Sequence, residues 1–204
     1  MSCTSGPLYV PIDSLKATLK VVGTDSDPNI ALAIESASRA IDNACGRRFY
    51  PDTTVRYFTA GYYDTRVSLD DVRTITAVTV DTAGNGTYGT TWVEGTDFYL
   101  SPVGASSVDG EPFTEMILMR QAGRRFPEYA NSIKVTGTFG WAVPPPGVRQ
   151  FAEILAAKLL RRTTDAPFGF VLSGNDLGSI TRLARSDPDF ELLVGPYRRT
   201  KLLV

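Results

Sequence analysis

The sequence predicts an α+β fold: a small helical bundle with a large antiparallel β-rich insertion and an extended C-terminal tail. Three observations carry that prediction. Apolar residues recur at helical spacing near both ends of the chain. From Thr53 to Gly140 the texture is instead rich in Val, Thr, Tyr and Phe, broken at short intervals by Gly, Asp and Pro. The run Trp141 to Gly147, WAVPPPG, then closes that region, because successive prolines cannot donate to a strand ladder. Helices that flank an inserted sheet and pack on each other make one domain over residues 1–164, leaving 165–204 as a docking tail.

The first helix is expected over about 12–22, since Ile12, Leu15, Leu19 and Val22 repeat and Gly23 supplies a stop; Asp13 is the expected cap. The second, about 28–45, is the clearest element of the chain. Ile30, Ile34, Ala37, Ile41 and Ala44 form one stripe, Asp27 and Pro28 suit its start, and Gly46 suits its end. Glu35 and Arg39 form an i,i+4 pair off that stripe. Its alanines and serines leave room for a neighbouring helix to approach closely. The third, about 147–162, carries Val148, Phe151, Ala152, Leu155 and Leu159 on one face, with Arg161 and Arg162 complementing the dipole at its end.

Between them lies the insertion, about 53–140, with strands expected near Val55–Ala60, Thr74–Val80, Thr91–Leu100, Glu115–Gln121 and Ser132–Phe139. The last alternates Ile133, Val135, Gly137 and Phe139 with Lys134, Thr136 and Thr138, so one face is buried and one wet. Met116 to Met119 is continuously apolar and reads as a strand covered on both faces. The glycine-rich stretch DTAGNGTYGTT reads as an exposed, mobile hairpin tip, and SPVGASSVDGEPF as a second loop. The last 40 residues, 165–204, hold no sustained period beyond a short helical piece around 180–194. They space Phe168, Phe170, Val171, Leu172, Phe190, Leu192, Leu193, Tyr197 and Leu202 to Val204 as docking anchors would be spaced.

Composition excludes several classes. The formal net charge of −1 provides no general basic field for nucleic acid. The chain holds no histidine, which removes His-dependent nucleophile activation, His-ligated metal and the commonest general base near neutral pH. Cys3 and Cys45 fit neither a disulfide framework nor a metal spacing and read as free thiols. MSCTSGPLYVP lacks the basic and apolar regions of a signal peptide, and no apolar run is long enough to span a membrane.

Some patterns imitate sites. Gly84-Asn85-Gly86-Thr87-Tyr88-Gly89 matches the dinucleotide fingerprint literally, but strand rather than helix follows it, so it reads as a turn. Asn85-Gly86-Thr87 is also a glycosylation sequon, expected to stay unmodified without a secretory signal. Asp25, Asp27 and Asn29 resemble the opening of a calcium loop, but Ile30 and Ser36 replace its glycine and glutamate. Asp70-Asp71 and Asp187/Asp189 are paired carboxylates, read as solvated turns. The doublets Arg47-Arg48, Arg124-Arg125, Arg161-Arg162 and Arg198-Arg199, the last with Lys201 beyond it, read as ion-pairing surfaces before phosphate sites.

Several segments, in order, carry a resemblance: the helix text AIESASRAIDNACGRRFY, the passage NSIKVTGTFGWAVPPPGVRQFAEILAAKLLRR followed by DAPFGF, and the ending RLARSDPDFELLVGPYRR. Together they resemble the head-to-tail connector proteins of tailed bacteriophages, the adaptor beneath the portal, over nearly the whole chain. Two features depart from that pattern: Pro11 stands where relatives usually place a Ser or Thr cap, and the sheet insertion is large.

The resemblance implies a structural virion protein rather than an enzyme, with no catalytic, metal or cofactor residues. It implies a self-associating ring of about twelve subunits, a portal protein on one side and a stopper or tail-completion protein on the other. DNA would pass through the lumen without sequence-specific binding, and no membrane is involved. The location implied is the virion, after assembly in the host cytoplasm. The portal grip falls on Phe190, Leu192, Leu193, Tyr197, Arg198 and Arg199 of the tail. Two other classes stay open: a nucleic-acid-binding module using the arginine doublets, and a carboxylate-based hydrolase.

Overall fold

The computed structural model describes residues 6–61, 64–105, 110–165, 181–182 and 187–199. It is α+β, with four helices and a six-stranded antiparallel sheet among those residues. The chain divides into two compact units, one comprising Met1–Arg47 and Pro144–Val204, the other Arg48–Val143.

The helical unit contains α1 (Ile12–Leu19), α2 (Asp27–Cys45), α3 (Pro146–Asp165) and α4 (Pro188–Leu193), followed by a 3₁₀ turn at Gly195–Tyr197. Helix α2 buries Ile30, Ile34, Ala37, Ile41 and Ala44, the stripe expected of it, and ends at Gly46 in the left-handed conformation (φ 67°). It packs on α3, whose Val148, Phe151, Ala152, Leu155 and Leu159 are all buried. Ser38 is carried inside this face because its hydroxyl donates to the Ile34 carbonyl (2.7 Å) and accepts the Tyr9 N–H (3.2 Å). The segment before α1 is strapped to α2: the Tyr9 hydroxyl donates to Asp42, and Arg39 reaches the Pro7 carbonyl at 3.0 Å.

Helix α1 is shorter than expected. Lys20, not Gly23, takes the left-handed stop (φ 57°), and the Lys16 ammonium reaches past it to the Gly23 carbonyl (2.5 Å) and Asp27 (2.7 Å). Val22, expected on the apolar stripe, is 97% exposed. Pro11 occupies the N-cap position and Asp13 lies in the first turn instead. In α2 the cap position falls to Ser26, and Asp27 spends its carboxylate on Lys16.

The sheet unit contains β1 (Asp52–Phe58), β2 (Arg66–Val80), β3 (Thr90–Trp92), β4 (Phe98–Ser101), β5 (Phe113–Leu118) and β6 (Ile133–Phe139). The strand order is β1-β6-β2-β5-β4, with β3 also pairing β2. Strand β2 is the spine. Its first half pairs β5 and its second half pairs β6, with register shifts near Val72 and Ile75 that bend it between the two partners. Strand β6 is buried on the predicted face. Its Gly137 is obligatory, since a Cβ there would stand 2.1 Å from the Thr74 carbonyl oxygen. Met116, Ile117 and Leu118 of β5 are all buried, as the continuous apolar run requires.

Several expectations for the sheet unit change. The strand expected over Glu115–Gln121 runs from Phe113 to Leu118 and gives way to a 3₁₀ turn at Arg120–Ala122. The stretch Thr91–Leu100 is two strands, because the Asp97 carboxylate accepts the Val93 N–H (2.9 Å) and Gly95 turns the chain between them (φ 80°). Strand β2 begins at Arg66, so Asp70-Asp71 lies inside a strand and is not a solvated turn. Asp71 sits in the bulge with φ 46° and 3% exposure, and its carbonyl accepts the Gly140 N–H at 2.6 Å. The glycine-rich stretch 81–89 is exposed as expected but is pinned. The Asp81 carboxylate accepts the N–H groups of Ala83 (3.0 Å), Gly84 (2.8 Å) and Gly86 (2.7 Å), and the Tyr88 hydroxyl donates to the Asn131 carbonyl (2.7 Å).

Candidate assembly surfaces

The residues proposed from the sequence as docking anchors fall into two groups once placed. Phe190 is fully buried, its ring edge-on to Phe151 at 5.5 Å, and Val194 is buried beside it. Leu192, on the opposite side of the same short helix, is 77% exposed. Leu193, Tyr197 and Arg199 are half-buried and Arg198 is exposed.

Local chemistry explains the arrangement. Asp187 caps α4 by accepting the Asp189 N–H (3.2 Å), Pro188 opens the helix, and the Lys158 ammonium of α3 meets Asp187 at 2.5 Å. Asp187/Asp189 is therefore a cap and clamp and not a solvated pair. Helix α3 admits the segment at Gly147, where a Cβ would stand 2.4 Å from the Leu193 carbonyl oxygen. The Arg199 N–H ends the run by donating to the Cys45 carbonyl (2.9 Å) at the end of α2. Cys3, Phe168, Phe170, Val171, Leu172, Lys201 and Leu202 to Val204 lie outside the described residues.

Several of the arginine doublets are tied into ion pairs. Arg48 reaches Asp52 at 3.5 Å, Arg124 meets Asp97 at 2.9 Å, and Arg198 stands 3.9 Å from Glu191. Arg161 and Arg162 are exposed on the last turns of α3.

Within the sheet unit, a groove of about 780 Å³ runs beside Arg66, Arg120, Arg124 and Arg125, with Tyr99, Ile117 and Phe126 among its lining. Its arginines do not make it an anion site. Glu115 pairs with Arg66 (3.6 Å), Asp97 pairs with Arg124, and Asp64 and Glu128 line the same groove, so the charges balance. The hydrogen bond from Arg124, with that from the Val93 N–H, holds the Asp97 carboxyl below the usual carboxylate range against the opposing effect of burial. At Asp81, burial pushes the carboxyl up, but the surrounding backbone N–H groups outweigh it and leave it lowered. No periodic signal could have singled out Asp97, since its partner is supplied from the far side of β5 by strand pairing.

Among the described residues no cluster of three or more Cys, Asp or Glu could hold a metal ion, and no helix is long and apolar enough to cross a membrane.

Comparison with known proteins places this fold. No family model matches the chain, and no curated protein does. A solved structure described as the neck of an empty GTA particle computed with C6 symmetry contains a chain similar over 96% of this one and 92% of its own length, with a TM-score of 0.57 and 16% identity. The fold is that of a neck chain. A second structure, the neck of a native GTA particle computed with C12 symmetry, matches over 100% of this chain and 98% of its own, with a TM-score of 0.50 and 16% identity. At that identity the likeness is one of fold.

Proposed function

We propose that this chain is a head-to-tail adaptor of a phage-like particle. In this reading it is a structural protein that forms a ring of about twelve copies between the portal and a stopper or tail-completion protein, with DNA crossing its lumen. The observation that carries the reading is that the likeness to a neck chain spans both chains almost end to end, including the inserted sheet. Balanced charge supports it as well: a bore lined with unpaired cations would retard the DNA it must pass. The same particle would hold the protein in the virion after assembly in the host cytoplasm.

Residues 165–204 serve in this reading as the portal-docking element, in a modified form. Phe190 fixes the segment to α3, which leaves Leu192 and Arg198 as its outward anchors, with Leu193, Tyr197 and Arg199 at the margin. Each docking contact is small, and a ring makes many small contacts effective together.

Quantitative mass spectrometry of purified particles tests the function. Copy numbers near those of the portal support the adaptor, and absence from particles overturns it. In that second case a steep salt dependence of DNA affinity would move the arginine doublets forward as a nucleic-acid surface.

A further inference from the structure

Strand β1 closes one side of the sheet, while the three-residue β3 and the four-residue β4 close the other, and the sequence treats the two sides differently. Strand β4 is four residues long, its Phe98 carbonyl is already taken by the Gly95 N–H (2.8 Å), and Pro102 follows it at once. That edge is blunted in the ways folded proteins use to refuse a further strand. Strand β1 is not. Its seven residues pair β6 in unbroken register from Asp52↔Phe139 to Phe58↔Ile133, with no bulge and no internal proline. Among the described residues no strand pairs its outer edge and no backbone hydrogen bond beyond the β6 ladder uses residues 52–58, which leaves alternate N–H and C=O groups unpaired with backbone along a strand of about 24 Å.

The side chains beside that edge do not defend it either. Thr53, Val55 and Tyr57 project on the outer face, with Val55 40% and Tyr57 49% exposed. Their register partners on β6 are Thr138, Thr136 and Lys134, so Lys134 is the one charge in three cross-strand pairs. Tyr57 is braced by Tyr88 at 5.6 Å, and Lys134 lies 5.6 Å from the same Tyr88 ring. The charged residues of β1, Asp52 and Arg56, are spent on each other (3.4 Å), and Arg56 also stacks on Phe139 at 4.3 Å.

We propose that the β1 edge is an intersubunit site at which an extended stretch of a second copy of this chain adds to the sheet. This rests on the ring reading above. The recognition chemistry is backbone hydrogen bonding to β1, with small or β-branched side chains laid over Thr53, Val55 and Tyr57. The added strand is not β1 itself, because β1-to-β1 pairing is two-fold and closes at a dimer, whereas a ring needs a directional contact. Size points to an assembly as well. A strand edge of this length covers about 300 Å² per partner, against about 800 Å² in a stable pairwise complex. The contact is too small to hold a free dimer and suited to a closed ring in which every copy has two neighbours.

Hydrogen exchange on the full chain, free and in the assembled ring, tests the inference. On assembly, alternate amides within residues 53–57 slow by about tenfold or more. The double variant V55K/Y57K, which places lysines beside the open edge, keeps the circular dichroism and melting behaviour of the parent and loses ring assembly. A ring in which the β1 amides exchange as in the free chain, or one formed normally by a folded V55K/Y57K, overturns the proposal and leaves the adaptor reading intact. Failure of the unmodified chain to form any ring, alone or in particles, overturns that reading and this inference with it.

Discussion

Replacing Phe190 by alanine separates a C-terminal segment that is part of the fold from one that waits for a partner. Phe190 has no solvent exposure and meets Phe151 edge-on, so truncation forfeits both its burial and an aromatic pair. Losses of this kind run to about 3–5 kcal/mol. Helix α4 is only six residues long and is held by few contacts: Phe190 and Val194 in the core, the Lys158–Asp187 pair and the Arg199–Cys45 bond. The loss therefore appears as undocking of residues 187–199 before the rest of the chain unfolds. A penalty of 3 kcal/mol raises the undocked population by about a hundredfold. Hydrogen exchange with fragment mass analysis reads this directly: amides of 188–194 exchange about a hundredfold faster in F190A, while those of β6 do not change. Leu192→Ala, on the exposed side of the same helix, serves as the control and shifts stability by less than about 0.5 kcal/mol. Equal protection in F190A and the parent would refute the packing argument and restore an undocked tail.

Other predictions follow from the same contacts. Gly147→Ala forces a methyl against the Leu193 carbonyl and exposes the same amides as F190A while leaving the sheet unit's exchange unaltered. Arg124→Ala leaves Asp97, 6% exposed, without its guanidinium partner and costs about 1–3 kcal/mol at neutral pH by urea denaturation. Because the folded Asp97 pKa is lowered, the stabilisation is present above the unfolded value near ~4 and is lost as pH falls through the folded value. The gap between R124A and the parent therefore narrows in acid, and a gap of constant size from pH 7 to pH 3 would contradict the assignment. Asp81→Ala frees the N–H groups of Ala83, Gly84 and Gly86, and those amides exchange about tenfold faster without loss of the sheet.

What the sequence made legible follows the range of the interactions involved. Helix α2 could be read to the residue at its C-terminus because its stripe and its glycine stop are local signals. Strand β6 was equally plain, and the burial of Met116 to Leu118 in β5 followed from its continuous apolar run, although that run did not show the strand ending at Leu118 before a 3₁₀ turn. Misreadings arose where a distant group decided the outcome. Helix α1 stops early because Lys16 finds Gly23 and Asp27, a choice that apolar spacing does not encode. Asp70-Asp71 looked like a turn because acidic pairs usually are. Only the pairing of β2 with two different strands makes room for a bulge that buries Asp71. The residues proposed for docking show the same limit. Their apolar character was visible, but which of them face inward depended on Phe151 and Gly147, supplied by another helix.

The sheet unit leaves the helical sequence after Arg47 and returns to it at Pro144, and its first and last strands are neighbours, with Asp52 opposite Phe139. Its two chain ends are thus side by side. A segment built this way is a cassette: changes in its length fall between two ends that the β1–β6 pairing already holds together, so they need not rethread α2 and α3. Changes in the sheet unit's loops and outer face can then accumulate at little cost to the helices.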